Sequence, residues 1–325
     1  MKDSIYITKE GVIYRKDNTI VFQNQEQKHT LPIEAVKDIY CIGKVTIRSG
    51  AAYQLMEKRI PVHFFGKYGH YRGTLQPKQD LISGEVIVKQ VQHYTDYIKR
   101  IKIAKEMFKG IKHNILWVLK YYKSKRDIED VVEKIEHVNI QEEILKINTL
   151  RSLEGQIWEL FYQAADTICP SWGFRKRTRR PPLDEGNALI SYGNSVLYGK
   201  TISEIFKTYL HPAISFIHEP SERRYSLALD LADIFKPVIV FRTVFRLINQ
   251  KIISKKDFEK EVGVQISEKG KKVFITELEK TFTTTVRHPN LKRNTSYQFL
   301  IRLEGLKIMK HVLGDKKYES FKAWW

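Results

Sequence analysis

Two aspartates, Asp230 and Asp233, stand inside "RYSLALDLADIFKP" (residues 224–237), a stretch that is otherwise nearly all apolar. On a helix, positions three apart share a face, so these carboxylates project side by side. Leu227, Ala228, Leu229, Leu231, Ala232, Ile234 and Phe235 leave such a helix few wet faces. Burying two like charges costs on the order of several kcal/mol each unless something positive meets them. An arginine, a proton or a metal ion would serve. Two more ionisable residues occupy places where apolar ones are expected. His218, in "FIHEP", precedes the helix and can fold back over its N-terminal half after the break at Pro220. Glu154, in "LRSLEGQIWELF", interrupts the stripe of Leu150, Leu153, Ile157 and Phe161, and Gly155 beside it leaves room for close approach.

Each residue also has a structural reading. Glu154 can pair with Arg151 or Lys146, His218 can be a packed histidine, and Asp230 can hold Arg223 or Arg224. Together, one imidazole and two or three carboxylates form a hard N/O donor set, suited to Mg²⁺ or Mn²⁺ rather than to structural zinc. The chain's charge suggests what such an ion would act on. In 325 residues there are 56 Lys and Arg against 37 Asp and Glu, a formal net charge of +19. Such an excess favours a polyanion, because neutralising phosphates releases condensed counterions; a surface kept basic for solubility is the plainer alternative. The implied chemistry is therefore at a phosphodiester.

A basic run, "FRKRTRRPP", places Arg175, Lys176, Arg177, Arg179 and Arg180 just before a Gly- and Tyr-rich helical stretch. Guanidinium forks grip phosphate bidentately, so Arg175, Arg177, Arg179 and Arg180 are candidate DNA contacts. Tyr192 or Tyr198 could stack on a base or meet the scissile phosphate, and "YYKSKR" at 121–126 is a second, weaker basic patch.

These residues need a frame. Residues 1 to about 82 read as β: "SIYIT", "GVIYR", "NTIVFQ", "VKDIYCI", "KVTIRS", "IPVHFF" and "YRGTL" are short, β-branched or aromatic, and separated by turn signals, with a short helix between Ala51 and Lys58. From about Ser83 the period becomes helical and stays so. The expected fold class is α+β multidomain, an N-terminal β-sandwich (1–82) followed by a larger all-α catalytic domain (83–325), joined near "QPKQDLISGEV". Two distant cysteines, Cys41 and Cys169, argue against a disulfide framework. With neither a signal peptide nor an apolar run of membrane length, a soluble cytoplasmic protein is expected.

The sequence resembles the CRISPR-associated endonuclease of the adaptation module, the spacer-integrating integrase family. The likeness runs through "YITKEGVIYRKDNTIVF", "LPIEAVKDIYCIGKVTI", "RIPVHFFGKYGHYRGTL", "LRSLEGQIWELFY", "RRPPLDEGNALISYGNSVLYG", "LHPAISFIHEPSERRYSLALDLADIFKP" and "SYQFLIRLEGLKIMKHVLG". It implies a β-sandwich used in dimerisation and a helical catalytic domain. It implies metal ligation by Glu154, His218 and Asp233, with Asp230 as a further acidic position and Tyr198 as a catalytic candidate. It also implies a homodimer assembled on a second small CRISPR-associated adaptation protein that bridges two dimers. The implied activity is metal-dependent cleavage and strand transfer on duplex and branched DNA, the 3′-hydroxyl of a short duplex attacking a phosphodiester. Three positions depart from the family: His211 where Asp is usual, Asn194 where Tyr is common, and Lys236 where Arg is usual.

Overall fold

The computed structural model describes residues 3–66, 69–78, 81–140, 146–220 and 225–325. The first strands are β1 (Asp3–Ile7), β2 (Gly11–Lys16), β3 (Thr19–Gln23), β4 (Lys28–Leu31), β5 (Val36–Cys41) and β6 (Val45–Ile47); helix α1 (Ser49–Glu57), β7 (Val62–Phe65) and β8 (Tyr71–Leu75) follow. They form two four-stranded sheets, ordered β1-β5-β7-β8 and β4-β3-β2-β6. Pairing is mixed: β1, β5 and β7 run parallel, while β8 closes the first sheet antiparallel. One core lies between the sheets, with Ile7, Ile39, Cys41 and Val62 from the first meeting Ile13, Ile20, Phe22 and Leu31 from the second. The two-residue period of a strand sends Tyr40 to the opposite face, where it joins the helical core. Strand β4 was not legible in the sequence because it is a polar edge, with Lys28, His29 and Thr30 exposed.

The helices are α2 (Gly84–Thr95), α3 (Tyr97–Lys123), α4 (Glu129–His137), α5 (Ile147–Ile168), α6 (Glu185–Ile205), α7 (Ser226–Lys236) and α8 (Arg242–Asn249). Then come β9 (Phe258–Glu261), β10 (Gly263–Ile266), α9 (Glu268–Thr283), β11 (Thr285–Arg287), β12 (Asn294–Ser296) and α10 (Tyr297–Leu313). The expectation of an all-α second half is thus corrected: β9–β10 and β11–β12 are two-stranded antiparallel ribbons. Gly263, at φ +85°, makes the first turn, and β-branched Thr283, Thr284, Thr285 and Val286 end α9 and start the second ribbon. Residues 79 and 80 of the expected joint lie outside the described residues. Among the described residues, no helix is long and apolar enough to cross a membrane.

Helix α6 is buried on nearly every face and forms the axis of the molecule. Its Lys200 is fully buried and ties the sheet to the helices. The ammonium donates to Ser4 Oγ (2.6 Å) on β1, pairs with Glu279 Oε2 (2.9 Å) on α9, and lies 5.0 Å from the Tyr40 ring centroid. Tyr6 adds a bond to the same carboxylate at 2.6 Å.

Helix α7 carries the two aspartates and is buried through Leu227, Ala228, Leu231, Ala232, Ile234 and Phe235. It runs through a π-helical turn, Pro237–Phe241, into α8. Pro237 has no N–H, so the Asp233 carbonyl loses its usual helical donor, and a π-turn is a common accommodation near functional residues. Asn114 on α3 secures this stretch. Its Nδ2 donates to the carbonyls of Ile234 (2.8 Å) and Phe321 (3.3 Å), and its Oδ1 accepts from Ala323 N (2.8 Å). The C-terminal segment is thereby strapped to the helix bearing the acids. Asn114→Ala strands three buried backbone groups, and urea denaturation should show a loss of about 3 kcal/mol. A change below about 1 kcal/mol would mean that the strap is held by its aromatic contacts alone.

Candidate active site

Glu154, His218, Asp230 and Asp233 come from three parts of the chain and meet around the start of α7. The role of Asp230 is the clearest. Its carboxylate is fully buried and reaches back to the segment before the helix. Oδ2 accepts from the backbone N–H of Phe216 (2.6 Å) and Ile217 (3.0 Å), and Oδ1 accepts from His218 N (3.0 Å) and meets His218 Nδ1 at 2.7 Å. One side chain therefore fixes both the backbone and the imidazole of His218. The possible partners Arg223 and Arg224 lie outside the described residues.

With Nδ1 held, Nε2 of His218 points the other way, 3.9 Å from Asp233 Oδ2. Burial pushes the His218 pKa down, but its bond to Asp230 and the charges of Asp230, Asp233 and Glu154 outweigh this and raise it to about 9. Glu154 is half-buried on α5 and accepts from Trp158 Nε1 at 3.3 Å, one turn along. Burial, then the negative charge of Asp233, push its carboxyl up to about 7. Lys236 ion-pairs with Asp233 Oδ1 and lies over the Trp158 ring, 5.8 Å from its centroid. The site thus holds more negative than positive charge, and protons on Glu154 and His218 offset it.

Among the described residues, no three His, Cys, Asp or Glu side chains enclose a point as metal ligands do in this conformation. The donors nonetheless fit a hard divalent ion. The Nε2 face of His218 is left outward by a carboxylate that grips Nδ1, an arrangement typical of ligating histidines. Glu154 and Asp233 supply carboxylate oxygens, and their electrostatic need for positive charge is met only in part by Lys236. Apart from its own helix, nothing lies within 4 Å of where a Gly155 side chain would begin, so the helix surface next to Glu154 in the chain is open.

Residues that hold the loop before His218 come from helices that the sequence reading had not linked to the site. Arg100 on α3 donates to Phe216 O (2.9 Å) and pairs with Glu219 Oε1 (2.7 Å). Gln90 on α2 donates to the carbonyls of His211 (3.1 Å) and Ile214 (2.7 Å).

The tyrosines and arginines divide. Tyr192 is buried, packed beside Phe274, and has no surface on which to stack a base. Tyr198 hydrogen-bonds the backbone of Tyr225, accepting from its N–H at 3.0 Å, and so steadies the entry to α7. Arg175, Arg179 and Arg180 are exposed. Arg177 instead turns inward, donating to Asn187 Oδ1 (2.9 Å) and Ser191 Oγ (2.9 Å) on α6, which fixes the root of the basic run. In the second patch, Lys125 lies over the ring of exposed Tyr121.

Comparison with known proteins places this arrangement. A family model described as CRISPR associated protein Cas1 matches residues 5–280. CRISPR-associated protein Cas1 1 of Methanobrevibacter ruminantium is 42% identical, covering 100% of this chain and 99% of its own length. CRISPR-associated endonuclease Cas1 of Methanocaldococcus jannaschii is also 42% identical, with 99% of each chain covered. The solved structure of a CAS1 protein from Thermotoga maritima superposes with a TM-score of 0.87 at 35% identity, covering 98% of this chain and 100% of that one. The family seen in the motifs around Glu154 and His218–Pro237 is therefore the right one: this chain belongs to the Cas1 family of CRISPR-associated proteins.

Proposed function

We propose that the chain is a divalent-metal-dependent DNA endonuclease and integrase of CRISPR adaptation. The observation that carries this reading is the buried Asp230, which aims His218 Nε2 at Asp233 beside a carboxyl, Glu154, whose proton is loosely held at neutral pH. Glu154, His218 and Asp233 would hold Mg²⁺ or Mn²⁺. When bound, such an ion polarises the phosphoryl oxygen and stabilises the charge of the pentacovalent transition state. The protein's own part is placement. Asp230 fixes the imidazole, and Trp158 and Lys236 hold the two carboxylates in place. In strand transfer, the 3′-hydroxyl of a short duplex gives up its proton as its oxygen bonds to phosphorus, the bond from phosphorus to the original 3′-oxygen breaks, and that departing oxygen takes up a proton. Exposed Arg175, Arg179 and Arg180 suit the flanking phosphates. In the same reading, the β-sandwich of residues 1–82 serves dimerisation, the part from residue 83 on is catalytic, and a second small adaptation protein bridges two dimers in the cytoplasm.

The Lys236–Asp233 pair favours one other reading, a DNA scaffold in which these charges only neutralise one another. The two are separated by incubating the purified chain with Mn²⁺ on linear and branched duplexes and on RNA of matching sequence. We expect nicking and joining of DNA that EDTA stops. Binding of DNA without any Mn²⁺-dependent product would favour the scaffold, and faster cleavage of RNA would make it an RNA-processing enzyme.

A further inference from the structure

A second charged cleft lies away from the acids, where the β half meets the basic run. It has a volume of about 490 Å³ and is lined by His70, Tyr71, Arg72, Arg180, Pro181 and Val262. None of these six residues is acidic, and two are arginines. His70 has its pKa lowered by burial and then by the nearby Arg180 and Arg72, so its ring stays neutral around pH 7.

The cleft is held open by structure around it. Arg180 has φ +58°, a left-handed conformation uncommon outside glycine. Such a backbone persists where its surroundings over-determine it, and it concentrates at ligand sites. Here the β9–β10 ribbon supplies the constraint. Val264 N donates to Pro182 O at 2.8 Å, and a side chain on Gly263 would lie 2.4 Å from Pro181 Cβ. On the other wall, the Tyr71 hydroxyl shares a hydrogen bond with Thr74 Oγ1 (2.6 Å), and its ring stands edge-on to Tyr198, centroids 5.2 Å apart. Tyr198 in turn holds the backbone at Tyr225, immediately before α7.

We propose that this cleft binds a phosphodiester of duplex DNA through Arg72 and Arg180, a phosphate subsite separate from the acidic site. Arg72 and Arg180 line one cleft whose lining holds no carboxylate, and a phosphate oxygen pair matches the fork geometry of a guanidinium. Pro181 and Val262 form an apolar rim against which a sugar packs. An occupied cleft is also coupled by two aromatic rings and one hydrogen bond to the entry of the helix bearing Asp230 and Asp233. The inference rests on the reading of the chain as a DNA enzyme, but its test does not need catalysis.

The test is fluorescence anisotropy of the full chain with a labelled blunt DNA duplex in EDTA, across a potassium chloride series. Arg72→Ala with Arg180→Ala should weaken binding at least about tenfold, the value of a single charge-assisted contact. The slope of log affinity against log salt should shrink by roughly 0.9, the value for one lost phosphate contact. Lys16→Ala, at an exposed lysine on β2, controls for general loss of charge. Arg72→Gln with Arg180→Gln keeps the side-chain stems and replaces the alanine pair if that pair fails to fold. Affinity and slope equal to those of the Lys16 variant would overturn the proposal. So would an arginine-dependent rise in melting temperature with inorganic phosphate while duplex binding is unchanged, which would mark a site for free phosphate. A chain that never cuts DNA yet loses affinity in these variants would keep the cleft and remove the nuclease reading; one that cuts DNA while the variants bind normally would do the reverse.

Discussion

Glu154→Gln is expected to abolish Mn²⁺-dependent DNA nicking, with a fall of at least about a thousandfold, equivalent to losing about 4 kcal/mol of transition-state stabilisation. His218→Ala should do the same. The reason can be read from the protons that the metal-free site retains. Glu154 is raised from an ordinary value of 4.5 to about 7, so the folded chain binds a proton there that the unfolded chain gives up above about pH 4.5. His218 is raised from 6.5 to about 9, so it too holds an extra proton when folded. Both contributions stabilise the metal-free protein at low pH and are lost as pH rises through about 7 and then about 9. A divalent ion must displace the same protons. Its binding therefore tightens with rising pH and releases protons to the buffer.

Melting temperature measures this directly. An ion that binds only the folded state at a hundred times its Kd adds about 2.7 kcal/mol. The Mn²⁺-induced shift should be larger near pH 8 than near pH 6 in the wild type, and absent from Glu154→Gln. Without metal, the Gln variant should melt no lower than the wild type, because the amide removes the repulsion between Glu154 and Asp233. A metal shift that survives in this variant would place the ion elsewhere.

The second large effect belongs to Asp230→Asn. The shape is preserved, but an amide places its own N–H groups where the carboxylate accepts four bonds, three of them from backbone N–H groups. At least one buried donor is then left facing another donor, at a cost of about 2–4 kcal/mol. The imidazole also loses the partner that orients it, and removing such a partner typically costs about 10–100-fold in metal affinity or activity. The His218 pKa should fall from about 9 towards its ordinary value of 6.5, since Asp230 is the largest upward influence on it. NMR titration of the imidazole separates orientation from simple destabilisation. If the pKa falls but nicking is unchanged, Asp230 is a structural tie and not a positioning residue.

Much of this site was legible because burial and charge conflict visibly in a sequence. Asp230, Asp233 and Glu154 stood out as carboxylates on apolar faces, and the structure brings them together with His218. The division of labour was less visible. Asp230 and Asp233 look equivalent at three-residue spacing. Only the fold-back of 216–218 shows that one caps a loop while the other faces an imidazole. Arg100 and Asn114 carried the same signal as Glu154: each sits on the buried stripe of α3 among Ile103, Ala104, Met107, Ile111 and Val118. In so basic a helix a polar residue on that stripe is easily taken for one more solvated position. The ribbons in the helical half were missed for another reason. Strands of three and four residues leave too little alternation to detect. Tyr198 could not be placed by spacing, because its partner, the backbone at Tyr225, has no signature in sequence.

Lys200 has a consequence for how this chain can change over generations. Its ammonium is surrounded by Ser4 and Tyr40 from the strands and by Glu279 from α9, on a side chain that is fully buried. A substitution at any of these positions leaves a charge in the interior that the other half must answer with a matching change. The strand-rich and helical parts, so different in texture, are therefore inherited as one unit. Recombination near residue 82 between distant relatives should yield chains that fold only when this buried ion pair and its aromatic wall arrive from the same parent.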